Sequence, residues 1–511
     1  MRSIRTPIGQ GLLGVLLAGS AIANSPGQTR TLRIVTYNLE DDTNGATTPR
    51  PGLITPSGGG TVQQGGVLEG IGEQVLGSDP AQPIDILALQ ETTSNAATVT
   101  PIADGLNAFY NTPGRYAMSP YQATSSGGIT SGGGPSGLIY NTATLQLLAS
   151  VPVDPPGGIS QLGSSSGEYR EVIRYQFAPA GVTATPANEF YIYVSHYKAS
   201  TGAANEAARA GEARIIRNDE ASHLRADARV LYIGDYNATS SGEPGYQTIL
   251  APAAPNGAPQ GQGFDPLNPT GATNINWSSS TTSASILSME TESGSGLRYR
   301  DDLQLMTSNV FYGVPGGLAL VPGTYHTFGN NGTISYGARV TSASNTALTN
   351  LAPGSAIGAA TLYRDLTNAS DHLPVVADYT IPVLTAFQQW QMFYFGSTTN
   401  PGAAPDADAD GTGQNNQFKY VAGLNPTNPS SVFAFTVANV AGQPTWKDLM
   451  FSPAVAGRTY RPDCRTNLVN ASWTPLLTFA SAWVTNGSQV TVTDTNTVSP
   501  LELYRIGISF P

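Results

Sequence analysis

Ser370-Asp371-His372, Gly234-Asp235-Tyr236-Asn237 and Gln90-Glu91 place carboxylates, a carboxamide and an imidazole each just past a short apolar β-forming run. Loop residues so placed can converge on one site although they are far apart in the chain. Breaking a phosphodiester requires a metal to polarise the phosphoryl oxygens, a base to activate water, and donors for the charge developing on phosphorus. Hard oxygen ligands suit Mg²⁺, which keeps several waters and takes only one or two protein carboxylates. Taken singly, these residues have blander explanations. Asn38 and Asn237 suit strand-end turns, Asp235 an Asx-turn after Gly234, and Asp302 an exposed acidic pair with Asp301. As an ordered set they favour the chemistry, because turn residues alone have no reason to supply these types after successive buried strands.

The elements that would position them are short apolar runs at 32–37, 84–89, 137–140, 190–194, 230–233, 303–306 and 374–377. Their continuity suits strands buried inside a layered α/β domain. The clearest helix spans 203–225, where Ala204, Ala208, Ile215 and Leu224 form one side. Glu206, Arg209, Arg217 and Glu220 are predicted to face water, with Arg214 and Glu212 completing a solvated, charge-balanced face. Stretches 43–66, 123–136 and 239–296 have loop composition and read as surface insertions.

The order Tyr37-Asn38-Leu39-Glu40, Gln90-Glu91, Ser195-His196-Tyr197-Lys198, Gly234-Asp235-Tyr236-Asn237, Arg300-Asp301-Asp302 and Ser370-Asp371-His372 resembles the endonuclease/exonuclease/phosphatase superfamily. The resemblance covers roughly 29–380. It implies an α/β (α+β) fold, a four-layer αββα sandwich of the deoxyribonuclease I-like type, with the site at one end of the paired sheets. It also implies that Glu91 is the principal metal ligand, with Asn38, Glu40 and Asp371 close by. Glu40 stands where several members have Asp. By the same resemblance His372, oriented by Asp302, bridges the scissile phosphate and the attacking water, while Asp235 and Asn237 handle the nucleophile and the phosphoryl oxygens. His196 matches a second histidine that serves the phosphate or leaving group, and Lys198 adds a charge-assisted substrate contact. His223 and His326 fall outside the motifs and are expected to be solvated or structural.

The 511 residues exceed the size of most single cores, so more than one domain is expected. Arg2, Arg5, the apolar run 8–18 and Ala21-Ile22-Ala23 read as a signal peptide at 1–23. The run is too short to span a bilayer, and no other stretch is apolar enough, so the mature protein is expected to be secreted or periplasmic without an integral membrane segment. Cys464 is the only cysteine, which excludes an intrachain disulfide. The net charge of −11 disfavours a nonspecific polyanion binder, though not an enzyme that holds a phosphodiester briefly.

Beyond 29–380, the segment 381–431 reads as a linker and 432–511 as a small C-terminal β-rich domain. The linker carries Asp408-x-Asp410-x-Thr412-Gly413-Gln414-x-Asn416-x-x-Lys419, which resembles thrombospondin type 3 and dockerin-like calcium loops. Such a loop takes a bidentate acid at position twelve, so Lys419 there makes a working Ca²⁺ site doubtful. The expectation is an exported hydrolase acting on a phosphodiester, foremost of nucleic acid, with Mg²⁺ or Mn²⁺ and no obligate protein partner. A sphingomyelinase-like or inositol phosphate phosphoesterase is the alternative on the same chemistry, and a noncatalytic binding protein is the alternative of another class. A lipid enzyme would want an apolar membrane-entering hairpin, whereas the long insertions are polar.

Overall fold

A computed structural model describes the chain from residue 28 onward, apart from 41–48, 77–80, 124, 127–133, 154–168, 183, 187, 268–276, 279–283, 292–295, 315, 354, 384, 467–471, 477–482, 487, 496–501 and 510–511. The signal peptide expected at 1–23 lies outside the described residues, as do parts of the three loop stretches. The chain divides into two compact units, Gln28–Leu384 and a second that runs from Thr385 to Pro511.

The first unit is built on strands β1 (Gln28–Asn38), β2 (Ile86–Gln90), β3 (Tyr116–Met118), β4 (Gly137–Asn141), β5 (Leu145–Pro152), β6 (Ile173–Pro179), β7 (Phe190–His196), β8 (Val230–Asp235), β9 (Asp302–Thr307) and β10 (Val375–Val383). All seven apolar runs become strands; β3 escapes the sequence pattern because it is only three residues long, and β5 and β6 because they mix exposure along their length. One sheet has the order β10-β1-β2-β4-β3, and the other β9-β8-β7-β6-β5, each extended at its first edge by two-residue strands.

Alternation along each strand builds the layers. Leu32 and Ile34 of β1 pack against Ile192, Val194, Leu231 and Ile233 of the opposite sheet, forming the central core. Val35 and Tyr37, pointing the other way, meet helices α1 (Val67–Gly72), α2 (Thr100–Phe109) and α6 (Ala359–Ala369). On the far side Tyr193, Tyr232 and Leu305 meet α3 (Ala203–His223), α4 (Pro244–Leu250) and α5 (Ala284–Leu287). The result is a four-layer αββα sandwich in which both faces of each sheet are buried, which is why the strands read as continuous apolar runs.

One polar side chain crosses the central core. Gln304 of β9 donates from Nε2 to Ile34 O at 3.1 Å and Val375 O at 2.8 Å, and its Oε1 accepts the Tyr379 hydroxyl at 3.0 Å. A buried amide whose groups are satisfied on the opposite sheet fixes the register between the two.

Helix α3 corrects the expected solvated face. Arg209, Glu212, Arg217 and Glu220 are buried, while Arg214 is exposed. Arg209 pairs with Glu243 at 2.7 Å and donates to the carbonyls of Lys198 and Ser200. Arg217 donates to the carbonyls of Thr248, Ile249, Ala251 and Gln260, satisfying the C-terminal end of α4. Arg217 is drawn inward because the helix is covered by α4, whose last carbonyls need donors, and Arg209 by the buried carboxylate of Glu243.

The second unit begins with α7 (Ala386–Phe395), whose N-cap Thr385 accepts the Gln388 N–H. Helix α8 (Asn416–Ala422) places Phe418 and Ala422 in one core with Phe433 and with Phe435, Leu449, Val492 and Ile506 of the β-strands, so this part of the segment 381–431 is packed structure. In the calcium-loop-like segment, Asp408 accepts the N–H groups of Thr412 and Gly413. The ammonium of Lys419 pairs with Asp410, putting an internal cation on one of the carboxylates a metal would use. No helix among the described residues is long and apolar enough to cross a membrane.

Candidate active site

Strand direction brings the motif residues to one end of the sandwich. β1 and β2 run parallel with Asn38 opposite Gln90, so Glu91 follows at the same rim. β7 and β8 run parallel with His196 opposite Asp235, and β9 returns antiparallel with Asp302 opposite Asp235. His196, Asp235 and Asp302 therefore form one row across three strands. β10 pairs antiparallel with β1, so His372, just before its start, arrives at that rim from the other sheet.

The rim is also where the backbone is strained. Glu40 (φ 52°), Glu91 (φ 53°) and Asn237 (φ 47°) adopt left-handed conformations that non-glycine residues seldom take. All three stand one or two residues beyond a strand end, so the backbone turns sharply there. Such outliers cluster at functional sites.

Two groups of potential ligand atoms result, each within 4.8 Å: Glu91, His196 and Asp235, and Asp235, Asp302 and His372. Asp235 belongs to both, so Glu91 and His372 flank one carboxylate. Its Oδ2 accepts from Asn38 Nδ2 at 3.0 Å and lies 3.3 Å from His196 Nε2. Asn38 Nδ2 also donates to Glu91 Oε1 at 3.0 Å, and that oxygen lies 3.6 Å from His196 Nε2. On the other side His372 Nδ1 meets Asp302 Oδ2 at 2.7 Å.

The histidines are driven in opposite directions. Burial pushes His196 well below the usual imidazole range, reinforced by Arg170, His372 and Lys198, so it is neutral at pH 7. Burial also opposes charge on His372, but Asp302, Asp235 and Asp371 outweigh it and hold this imidazole well above its usual range. Asp235 is itself raised, by burial and then by Asp302, although His372 pulls the other way. One imidazolium and one neutral imidazole thus face a shared carboxylate, an arrangement able to give a proton at one point and accept at another. The Nδ1 of His196 and Oδ1 of Asp302 are buried without hydrogen-bond partners among the described residues.

Several predicted roles look different in three dimensions. Glu40 pairs with Arg50 at 2.7 Å and belongs to neither acid–histidine group. Asn38 donates through its NH₂, while its Oδ1 accepts the Glu40 N–H at 3.0 Å, so it serves as a ligand only with its amide turned. Asn237 donates to the Tyr197 carbonyl at 3.1 Å and to Asp235 Oδ1 from its N–H at 2.8 Å, bracing the loop after β7. Asp371 stands at the mouth, its side chain 43% exposed and 3.9 Å from His372 Nε2. Lys198 is nearly buried, its N–H held by Glu212 and its carbonyl by Arg209. His223 is exposed, and His326 is braced between Thr324 O and Gln74 Oε1, both remote in sequence from the motifs.

The donor set fits a hard divalent cation. Glu91, Asp235 and Asp302 gather around two histidines of which one is neutral, with Asp371 beside His372. Glu91 offers an oxygen 3.0 Å from Asn38 Nδ2 and 3.6 Å from His196 Nε2, and Asp371 a second carboxylate from the mouth.

No protein-family model matches the chain, and no curated protein compared with it matches. Among solved structures, an endonuclease/exonuclease/phosphatase from Beutenbergia cavernae is similar over 94% of each chain, with 13% identity and a TM-score of 0.36. The human Nocturnin catalytic domain is 15% identical over 69% of this chain and 97% of its own, with a TM-score of 0.34. ANGEL2, a 2′,3′-cyclic phosphatase, is 14% identical over 70% of this chain and 99% of its own, with a TM-score of 0.37. At these identities the likeness is one of fold alone.

Proposed function

We propose that the protein is a metal-dependent phosphoester hydrolase whose substrate is a phosphodiester of nucleic acid, and that it acts after export from the cell. The observation that carries this reading is the Asp302–His372 pair at 2.7 Å beside Asp235, which also belongs to the group formed with Glu91 and His196. Glu91 and Asp371 would hold Mg²⁺ or Mn²⁺, with Asn38 joining if its amide turns. Bound there, the cation would supply Lewis acidity toward a phosphoryl oxygen and the leaving group. The chain's own residues would do the rest. Asp235 would accept from and orient the attacking water, His372 as imidazolium would hold a phosphoryl oxygen through Nε2, and neutral His196 would hydrogen-bond the leaving oxygen.

A panel of plasmid DNA, RNA, sphingomyelin and inositol phosphates, each with and without Mg²⁺ or Mn²⁺, tests both chemistry and substrate. Metal-dependent cleavage of the nucleic acids alone is the expected result. Cleavage of sphingomyelin alone would reassign the substrate to a lipid, and cleavage of none would overturn the reading.

A further inference from the structure

We propose that Thr291 is a positioning residue that locks Asp302, Asp235 and His372 into one constellation. The inference rests on the phosphoesterase reading and adds to it a residue outside all six motifs. Thr291 is fully buried and lies between α5 and β9, in the stretch whose composition reads as a surface insertion. Its Oγ1 accepts the backbone N–H of Asp301 at 3.0 Å and of Asp302 at 3.1 Å. Its own carbonyl accepts the N–H of Leu373, next to His372, at 2.6 Å, and its N–H donates to Tyr299 O at 2.6 Å. The Asp301 carbonyl in turn accepts the N–H of Tyr236, next to Asp235, at 2.7 Å.

A single hydrogen-bonded belt therefore runs from the residue after Asp235, through Asp301 and Thr291, to the residue after His372. Its ends are backbone contacts that any residue could make. Its middle depends on one hydroxyl oxygen, because two amides at the start of β9 converge on the two lone pairs of Thr291 Oγ1. Without that oxygen the buried N–H of Asp302 and the half-buried N–H of Asp301 lose this acceptor, and the first residue of β9 must move to find another. That residue is Asp302, whose carboxylate stands 2.7 Å from His372 Nδ1. Thr291 touches none of the reacting groups directly, so its loss should misplace the pair without emptying the site.

The test compares Thr291→Val, which keeps shape and removes the acceptor, with Thr291→Ser, which keeps the oxygen, and Thr291→Ala, which leaves space for water if Val does not fold. With Mg²⁺ and bis(p-nitrophenyl) phosphate, Val or Ala should lower kcat by about tenfold to a hundredfold with KM within about twofold, and Ser should restore most of it. In parallel, amide hydrogen exchange should show the Asp301 and Asp302 amides losing protection in Val or Ala and keeping it in Ser. Unchanged exchange at those amides, an unchanged kcat, or equal losses in Ser and Val would each overturn the proposal. A wild type without turnover on any phosphodiester would refute the phosphoesterase reading instead, and the exchange arm would still decide whether Thr291 holds the belt.

Discussion

His372 Nδ1 and Asp302 Oδ2 stand 2.7 Å apart across the seam between the two sheets, one residue just before β10 and the other opening β9. The pair exists only because the sandwich is closed. Gln304, two residues into β9, hydrogen-bonds to β1 and β10 and so holds the same seam.

Asp302→Asn should keep the fold and move His372 back down toward the ordinary imidazole range, since Asp302 is the foremost of the groups holding it up. If the imidazolium is the active form, rate falls as pH rises through this group, so the alkaline limb of kcat/KM should shift to lower pH. His372→Ala should cost roughly 10²–10⁴ in turnover, whereas His223→Ala, at an exposed side chain, should be nearly silent. A pH–rate profile unchanged by Asp302→Asn would separate His372 from the rate.

Removal of the divalent ion should abolish activity, and added Mg²⁺ or Mn²⁺ should restore it. Binding also has a readout independent of turnover. A ligand at a hundredfold excess over its Kd stabilises the native state by about 2.7 kcal/mol, which is several degrees in Tm for a unit of this size. That shift should be present in the wild type and lost in Glu91→Gln. A full metal-induced shift in the variant would move the ion away from Glu91.

Much of this architecture was legible because strands buried on both faces leave an unmistakable apolar run, and four of the motif residues end or follow such a run. Asn38, Glu91, His196 and Asp235 were found that way, whereas Asp302 and His372 stand at or before the start of their strands and were assigned by the motif order of the resemblance. What periodicity cannot register is a polar group satisfied by distant backbone. Arg217 looks solvated in sequence, yet three of its four acceptors lie on or just after α4. Thr291 sits among Ser, Thr and Gly, where composition says loop, and only coordinates reveal two amides converging on it. The Glu40–Arg50 pair was hidden for a similar reason, since side-chain reach is decided by a left-handed backbone turn that no residue type announces.

Gly234→Ala should damage the site through the scaffold. The glycine has φ 138°, and a Cβ there would lie 1.9 Å from the Ser195 carbonyl oxygen on the neighbouring strand. Neither backbone can yield without separating His196 from Asp235, the next residues along. Combined clash and strain should cost roughly 3 kcal/mol or more and remove most activity. Calorimetry together with turnover checks this, and a stable, fully active variant would contradict the close approach of β7 and β8.

Glu69 supplies a pH prediction remote from the chemistry. It is completely buried in α1, its Oε2 accepts the Gly66 N–H at 2.7 Å, and Oε1 has no hydrogen-bond partner among the described residues. Burial first, with Glu73 and Asp365 adding to it, pushes this carboxyl up to about 8 against an ordinary 4.5. The folded state therefore binds this proton more tightly than the unfolded chain does. The contribution to stability is fully present below the unfolded value and is lost as pH rises toward the folded one, at up to about 1.4 kcal/mol per pH unit. Glu69→Gln keeps an acceptor for Gly66 and carries no titrating group. Relative to the wild type, it should gain a few kcal/mol between pH 5 and 8, read from denaturant unfolding at both pH values with metal held constant. Parallel stability curves for the two proteins would mean that the buried carboxyl is paying no ionisation cost in the fold.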